Sequence, residues 1–274
     1  MIVKKEMILM DFLLQTYNKR NAKNLLKFKQ VYVNDKQISQ YDYLLKVNDV
    51  IEIQKKESTS LDIIFEDHEF IVINKPSGLL SMSDGKEKEK TAYHLVSEYL
   101  KKQNKRNKVF IVHRLDRETS GVLMFCKNEK IRNELQAHWN EIVSDRGYIA
   151  IVEGKMVKKQ GTLKNYLAEN KGQMVYVTSK EKGKLAITHY QVIKETKYFS
   201  LLNIQLDTGR KNQIRAQLAN IDHPITGDKK YGAKTNIIHR LALHAYKFGF
   251  IHPITHKHYF FKVDMPVAFN KMNS

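Results

Sequence analysis

A single cysteine, Cys126, stands in 274 residues. One thiol closes no intramolecular disulfide and builds no cysteine cluster for zinc. It follows Phe125 in an apolar run, so a buried and unreactive thiol is expected. Carboxylates are scarce beside cations: 29 Asp+Glu against 47 Lys+Arg leave a formal net charge of +18. No apolar run approaches the ~20 residues of a membrane-spanning helix. Met1-Ile2-Val3-Lys4-Lys5 starts no long apolar core ahead of a cleavage site, so a cytoplasmic protein is expected. There is no internal repeat and no low-complexity tract. Gly227 to Gly232 holds two glycines, but neither the GK[ST] ending nor the strand-to-helix context of a P-loop. Nucleotide hydrolysis therefore has no support.

What is present is an apolar fraction of 42%, enough for a packed core, and a cationic excess that points to a polyanionic partner. No amphipathic basic helix stands out, which weighs against a membrane surface. His252, His256 and His258 lie close in sequence, but His252-Pro253 opens a turn and no cysteine accompanies them. They read as a surface turn between two strands, and no metal site is expected.

Residues 1–56 read as a small separate unit. Met7 to Tyr17 and Ala22 to Phe28 carry helical spacing, the second with Leu25 and Leu26 inward and Lys23, Lys27 and Lys29 outward. Val31-Tyr32-Val33 and Val50 to Ile53 read as strands, with a tight turn at Asn34-Asp35. The polar stretch after Lys55, residues 57–60 in particular, reads as a linker. Residues 61–274 then form the larger unit. Leu61 to Phe65 and Phe70 to Asn74 read as strands. Thr91 is placed to cap a helix running to Lys102, and Asn128 to cap one running to Asn140. Tyr148 to Val152, Lys184 to Ile193, Phe199 to Leu206 and Tyr259 to Val263 read as strands, and Asn212 to Ile221 as a helix. Gly85 to Lys90 and Gly154 to Gly161 read as exposed loops. Strands with inserted helices, without regular βαβ repetition, predict an α+β fold with a mixed, largely antiparallel sheet and flanking helices.

The most informative stretch is His113-Arg114-Leu115-Asp116-Arg117-Glu118-Thr119-Ser120-Gly121. It sets one carboxylate among basic and turn-forming residues between the apolar runs Val109–Val112 and Val122–Phe125. Such runs read as buried strands joined by a loop, and loops on rigid strands are where reacting groups sit. The nine residues resemble the signature of the RluA-type pseudouridine synthases. Four further segments resemble that family's blocks in the same order. They are Asn74-Lys75-Pro76-Ser77-Gly78, Arg146-Gly147-Tyr148-Ile149-Ala150, Thr208 to Arg215, and Gly227-Asp228-Lys229-Lys230-Tyr231-Gly232 with Leu243-His244-Ala245. Asn212 departs from the pattern, standing where the family usually has histidine.

The resemblance implies an enzyme that isomerises uridine to pseudouridine in RNA. Such an enzyme breaks the base–sugar bond, rotates the base and rejoins it through carbon, and no cofactor is expected. By the same resemblance Asp116 is the nucleophile, acting on sugar or base. Arg215 is its ion-pair partner. Tyr148 stacks on the flipped base and exchanges protons. Arg114 fills the gap left by an extruded uridine or binds phosphate. Lys75 and Ile214 complete the substrate-binding set. Residues 1–56 resemble the S4-like (alpha-L) RNA-binding domain, with Asp35 and Asn48 where glycine is frequent; asparagine tolerates the positive φ such turns need. Ribosomal RNA, of the large subunit, is the first partner expected and tRNA the second. No DNA partner, no membrane and a monomer are expected. Two other classes share some of these features. A non-catalytic RNA-binding assembly factor has the charge and both domains, but does not call for Asp116, Tyr148 and Arg215 together. A metal-dependent nuclease needs clustered acidic ligands, and the segment around Asp116 supplies only Asp116 and Glu118.

Overall fold

The first sixty residues and the remainder close separate cores. The computed structural model describes residues 1–27, 31–34, 36–53, 61–85 and 87–273. Two units divide the chain, Met1–Ser60 and Leu61–Ser274. The expected linker at 57–60, Phe28, Lys29 and Asp35 lie outside the described residues.

In the small unit, β1 (Met7–Ile8) leads into α1 (Leu9–Leu14), followed by α2 (Lys19–Lys27), β2 (Val31–Val33), β3 (Lys36–Gln37), β4 (Leu44–Leu45) and β5 (Ile51–Ile53). The helix expected from Met7 is shorter, because Met7 and Ile8 pair with Leu45 and Leu44. Leu9, Leu13, Ala22, Leu26, Val31, Val33, Leu45 and Ile51 form the core. Leu25, expected inward with Leu26, is only half-buried. That arrangement leaves Lys19, Arg20, Lys23 and Lys27 on the exposed side of α2. Asn34 and Asn48 both adopt positive φ, +46° and +73°. The Asn34 side chain accepts from the Val50 N–H and donates to Asp49.

The large unit contains β6 (Ile63–Glu66), β7 (Phe70–Lys75), α3 (Ala92–Gln103), β8 (Phe110–Ile111), β9 (Ser120–Cys126), α4 (Glu129–Ala137), α5 (Trp139–Ile142), β10 (Val143–Glu153), β11 (Gln160–Glu169), β12 (Val175–Thr178), β13 (Lys184–Glu195), β14 (Phe199–Leu206), α6 (Gln213–Ala219), β15 (Leu243–Ile251) and β16 (His258–Lys262). One 11-stranded sheet runs β12-β11-β13-β14-β10-β15-β9-β7-β6, with β16 on β15 and β8 on β9. No described helix is long and apolar enough to cross a membrane.

All seven residues of β9 are buried because both of its faces are covered. Leu123 and Phe125 pack with Ile71, Ile73 and the α3 residues Ala92, Val96 and Leu100. Val122 and Met124 pack the opposite way, with Phe70, Val72 and the α4 residues Ile131 and Leu135. Both helices start where their caps place them. The Thr91 side chain accepts from the His94 N–H, and Asn128 from the Lys130 and Ile131 N–H groups. The second helix stops at Ala137 and restarts as α5 rather than running to Asn140. Cys126 is fully buried, and burial lifts its thiol to about 11, so it stays protonated. The expected loop at Gly154 to Gly161 ends early: β11 begins at Gln160, and Met156 is in the core.

Nearly all pairings are antiparallel. Among the described strands, β9 on β15 is parallel, with Ser120 and Gly121 beside His244 and Ala245. Gly121 has φ +118°, and a Cβ there would stand 2.0 Å from the Ala245 carbonyl oxygen. Only glycine permits both the angle and the approach. Gly121→Ala is expected to destabilise the fold by about 3 kcal/mol, combining backbone strain and a backbone clash. Urea unfolding checks this; an unchanged midpoint contradicts it.

Candidate active site

The loop of residues 113–119 leaves β8 and re-enters the sheet at the β9–β15 junction, so Asp116 is held from both sides. His113 anchors the entry. Its Nε2 accepts the Met124 N–H at 3.1 Å, and its ring stacks on Phe248 with centroids 4.6 Å apart. Burial, with Arg146 nearby, depresses its pKa to about 4 and keeps the ring neutral. Segment 75–81 runs alongside. Ser81 Oγ donates to the Leu115 carbonyl and accepts its N–H; the Gly78 N–H donates to the Arg117 carbonyl; Ser77 Oγ donates to that of Glu118.

Lys75 belongs to this splint and not to the substrate-binding surface. Its side chain is fully buried, and Nζ donates to the carbonyls of Pro76, Leu79 and Arg117 at 3.0, 2.7 and 3.1 Å. Burial pulls its pKa down to about 7, against the charges of Glu118 and Asp116. Three acceptors favour the ammonium, which alone has three N–H donors. The expected substrate contact is thus corrected, because every donor of the amine is already used inside the protein.

At the centre of the sheet, Tyr148 sits on β10 opposite Ala245 of β15, next to the register shift at Gly147/Tyr148. Such irregularities re-aim side chains beside functional clefts. Burial and then the charge of Asp116 push the phenol up to about 12, with Arg146 opposing. The hydroxyl is therefore protonated across neutral pH.

Arg215 arrives from α6. Two glutamines one turn apart fix this helix to the sheet. Gln213 Nε2 donates to the Ile187 carbonyl, and Gln217 Nε2 to the carbonyls of Leu163 and Ala186. Arg215 lies near the opposite side of the helix from these two. Its Nη1 is 3.6 Å from Asp116 Oδ2. Its other contacts are closer: Nε and Nη2 donate to Asp228 at 2.7 and 2.8 Å, and Nη1 to Asn212 at 3.0 Å. The guanidinium also stands 4.9 Å from the centre of the Tyr231 ring. Burial opposes its charge, and the Asp228 carboxylate, followed by Asp116, more than offsets this and raises its pKa. Asn212 starts α6 in the left-handed region at φ +50°, a conformation asparagine tolerates. Asp228 and Gln213 were not assigned roles from the sequence. Both sit in quoted motifs, but nothing in spacing says which carboxylate an arginine will choose.

Asp116, Tyr148, Arg215, Arg114 and Ile214 line one cleft of about 160 Å³, together with Leu115, Leu206, Arg210, Lys211 and Leu243. Ile214 and the leucines make an apolar wall. Arg114 is exposed at the rim and has no hydrogen bond or ion pair among the described residues. Among the described residues Asp116 has a single ion pair, to Arg215, and its carboxylate accepts no hydrogen bond. Such a site offers a lightly held carboxylate, a protonated phenol and an apolar wall for a planar base.

Elsewhere, His252 is buried and serves its turn. Nδ1 accepts the Ile254 and Thr255 N–H groups, and Nε2 is 3.0 Å from Glu69. Among the described residues no three His, Cys, Asp or Glu side chains gather to hold a metal ion.

Comparison with known proteins gives a consistent result. Residues 69–220 match the family described as RNA pseudouridylate synthase. The chain is 32% identical over 240 residues to "Uncharacterized RNA pseudouridine synthase YhcT" of Bacillus subtilis (strain 168), covering 84% of this chain and 80% of that protein. It is 30% identical over 270 residues to "Ribosomal large subunit pseudouridine synthase D" of Buchnera aphidicola, covering 90% and 86%. The solved structure of human RNA Pseudouridylate Synthase Domain Containing 4 has the same fold, with a TM-score of 0.64 at 21% identity over 77% of this chain and 92% of that one.

The splint around the Asp116 loop yields a prediction. Lys75→Met leaves the carbonyls of Pro76, Leu79 and Arg117 without their shared donor. A stability loss on the order of 3 kcal/mol is expected from denaturant unfolding. Wild-type stability argues against the splint.

Proposed function

The chain belongs to the RNA pseudouridylate synthase family, and from that premise we propose that it isomerises uridine in large-subunit ribosomal RNA, with Asp116 as the nucleophile. The observation that carries the site assignment is the 3.6 Å approach of Arg215 to Asp116 within a cleft that Tyr148 also lines. The target assignment draws on the relative named ribosomal large subunit pseudouridine synthase D. Arg215 sets a positive charge 3.6 Å from the carboxylate. Ile214 and Tyr148 hold the detached uracil, so that it turns in place before carbon is joined to the sugar. Tyr148 enters the reaction as a phenol and supplies or relays a proton. Arg114, at the rim, fills the stack or grips a phosphate when a uridine is extruded, a step that costs a few kcal/mol in a paired RNA.

Residues 1–56 act as the S4-like RNA-binding unit. The support is the row Lys19, Arg20, Lys23 and Lys27 on the exposed side of α2, with the two asparagines in positive-φ turns. The protein works as a monomer.

Pseudouridine mapping of total RNA from cells with and without the gene tests the target. Loss of a large-subunit site supports the reading; loss confined to tRNA refutes it. For the chemistry, Asp116→Asn removes the reacting charge while keeping size. It should lower the single-turnover rate by on the order of 10⁴-fold, with the fold and most RNA affinity retained. A variant keeping a tenth of the wild-type rate would falsify the assignment. Removing residues 1–60 should weaken RNA binding and reduce its salt slope by about 0.7 for each single-strand phosphate that the small unit neutralises. The rate at saturating RNA should stay within a few-fold, because Asp116, Tyr148 and Arg215 all lie in the large unit. A hundredfold slower rate in a folded, saturated truncation excludes a purely binding role.

A further inference from the structure

The block Gly227-Asp228-Lys229-Lys230-Tyr231-Gly232 has no task in the mechanism so far, yet it is built with care. Gly227 adopts φ +83°, and a Cβ on it would stand 2.1 Å from the Arg240 carbonyl oxygen; Gly232 adopts φ +85°. Between them, the Asp228 carbonyl accepts the N–H groups of Tyr231 and Ala233, and its own N–H donates to Ile225. Its backbone is thus fixed on both sides, and its side chain is buried.

We infer that Asp228 is a positioning residue for the isomerisation: it grips Arg215 on two nitrogens, so that the guanidinium meets Asp116 through one nitrogen only and leaves that carboxylate free to react. This rests on the reading that Asp116 is the nucleophile and Arg215 its partner. A guanidinium has five N–H donors in a rigid plane. Asp228 takes Nε and Nη2 at 2.7 and 2.8 Å, the paired geometry that makes arginine–carboxylate contacts strong. Asn212 takes Nη1 at 3.0 Å, and the guanidinium carbon stands over the Tyr231 ring, 4.9 Å from its centre. The approach to Asp116 is longer, at 3.6 Å. The nearer carboxylate therefore claims most of the cation. A nucleophile tied by two strong hydrogen bonds must break them before it forms a bond. Asp116 is spared that, but still faces a positive charge. Without the charge on Asp228, Arg215 is released to close on Asp116 through two nitrogens.

The test uses the full-length protein and a folded RNA substrate, with single-turnover rates measured over a range of enzyme concentrations. Asp228→Asn keeps the size and loses the charge. The saturating rate should fall about 100-fold while the half-saturating concentration stays within about threefold. Asp228→Glu keeps the charge but adds a methylene, and should fall less, by several-fold. In an Arg215→Met background, Asp228→Asn should cost nothing further, because it acts through the missing arginine. Three results overturn the inference: a wild-type saturating rate for Asp228→Asn, equal losses in the Asn and Glu variants, or a full additional loss in the Arg215→Met background. Should Asp228→Asn fail to fold, Asp228→Glu decides alone: a several-fold drop at unchanged half-saturation supports the inference, and a wild-type rate overturns it. Asp116→Asn is run in parallel. If it stays active, the underlying reading fails; if it is inactive and Asp228→Asn is not impaired, only the present inference fails.

Discussion

The contact of β9 with β15 is two residues long, and the site depends on it. Ser120 and Gly121 on one side meet His244 and Ala245 on the other. Ala245 in turn lies opposite Tyr148. The loop that re-enters the sheet at Ser120 is thereby held one strand, β15, away from the strand carrying the phenol. Beyond this junction the two strands take other partners, β16 along β15 and β8 along β9. A parallel contact so short contributes little by itself, and its placement matters more than its strength. Polar side chains reinforce it: Ser120 Oγ is 2.9 Å from His244 Nδ1 and accepts from Arg240 at 3.1 Å. Burial, with Arg240 beside it, lowers the His244 pKa to about 4, so the ring is neutral and adds no charge under the loop.

Around that frame, the buried cations are divided between two tasks. Lys75 commits all of its donors to backbone carbonyls, holding the Asp116 loop to segment 76–79. Arg215 commits most of its donors to Asp228 and Asn212. Neither is left without acceptors, which matters because a buried donor without a hydrogen-bond partner is costly. Arg114 is the cation of the cleft without a partner among the described residues, and it stands at the rim, where water solvates it. The interior of the site is therefore organised and close to charge-balanced, and the untethered positive charge of Arg114 lies at its exposed rim.

Some of this was legible in the chain. Thr91 and Asn128 announce helix starts because a short polar side chain before an apolar periodic run satisfies free N–H groups locally. The run from Val122 to Phe125 announces a strand covered on both faces. The nine residues around Asp116 single out, through resemblance, a loop that the structure places on the cleft. Other parts were not legible. In β11, Gln160–Glu169, polar residues dominate; the strand owes its place to pairing with β13 on one side and β12 on the other. Lys75 looks like a free cation in the sequence, because burial is a property of the closed fold. Asp228 is separated from Arg215 by a turn whose path depends on Gly227 pressing against the Arg240 carbonyl. No local pattern encodes a contact of that kind.

The net charge of +18 and the cleft act at different ranges. At physiological ionic strength, exposed charges are screened beyond about 8 Å. The global excess therefore favours encounter with RNA, and it does so with little regard to which uridine arrives. At shorter range the cations that line the cleft are Arg114, Arg210 and Lys211. Of these, Lys211 is paired with Glu169, and Arg210 Nε is bound to the Leu185 carbonyl. Arg114 alone has no such tether among the described residues. Under the proposed function, that freedom suits a side chain that follows the RNA backbone or enters the stack, and the leucines with Ile214 give the cleft an apolar wall for a base. On that proposal, the ease with which a given RNA surrenders a uridine bears on which one is chosen, since unstacking cost varies with the local structure of the RNA.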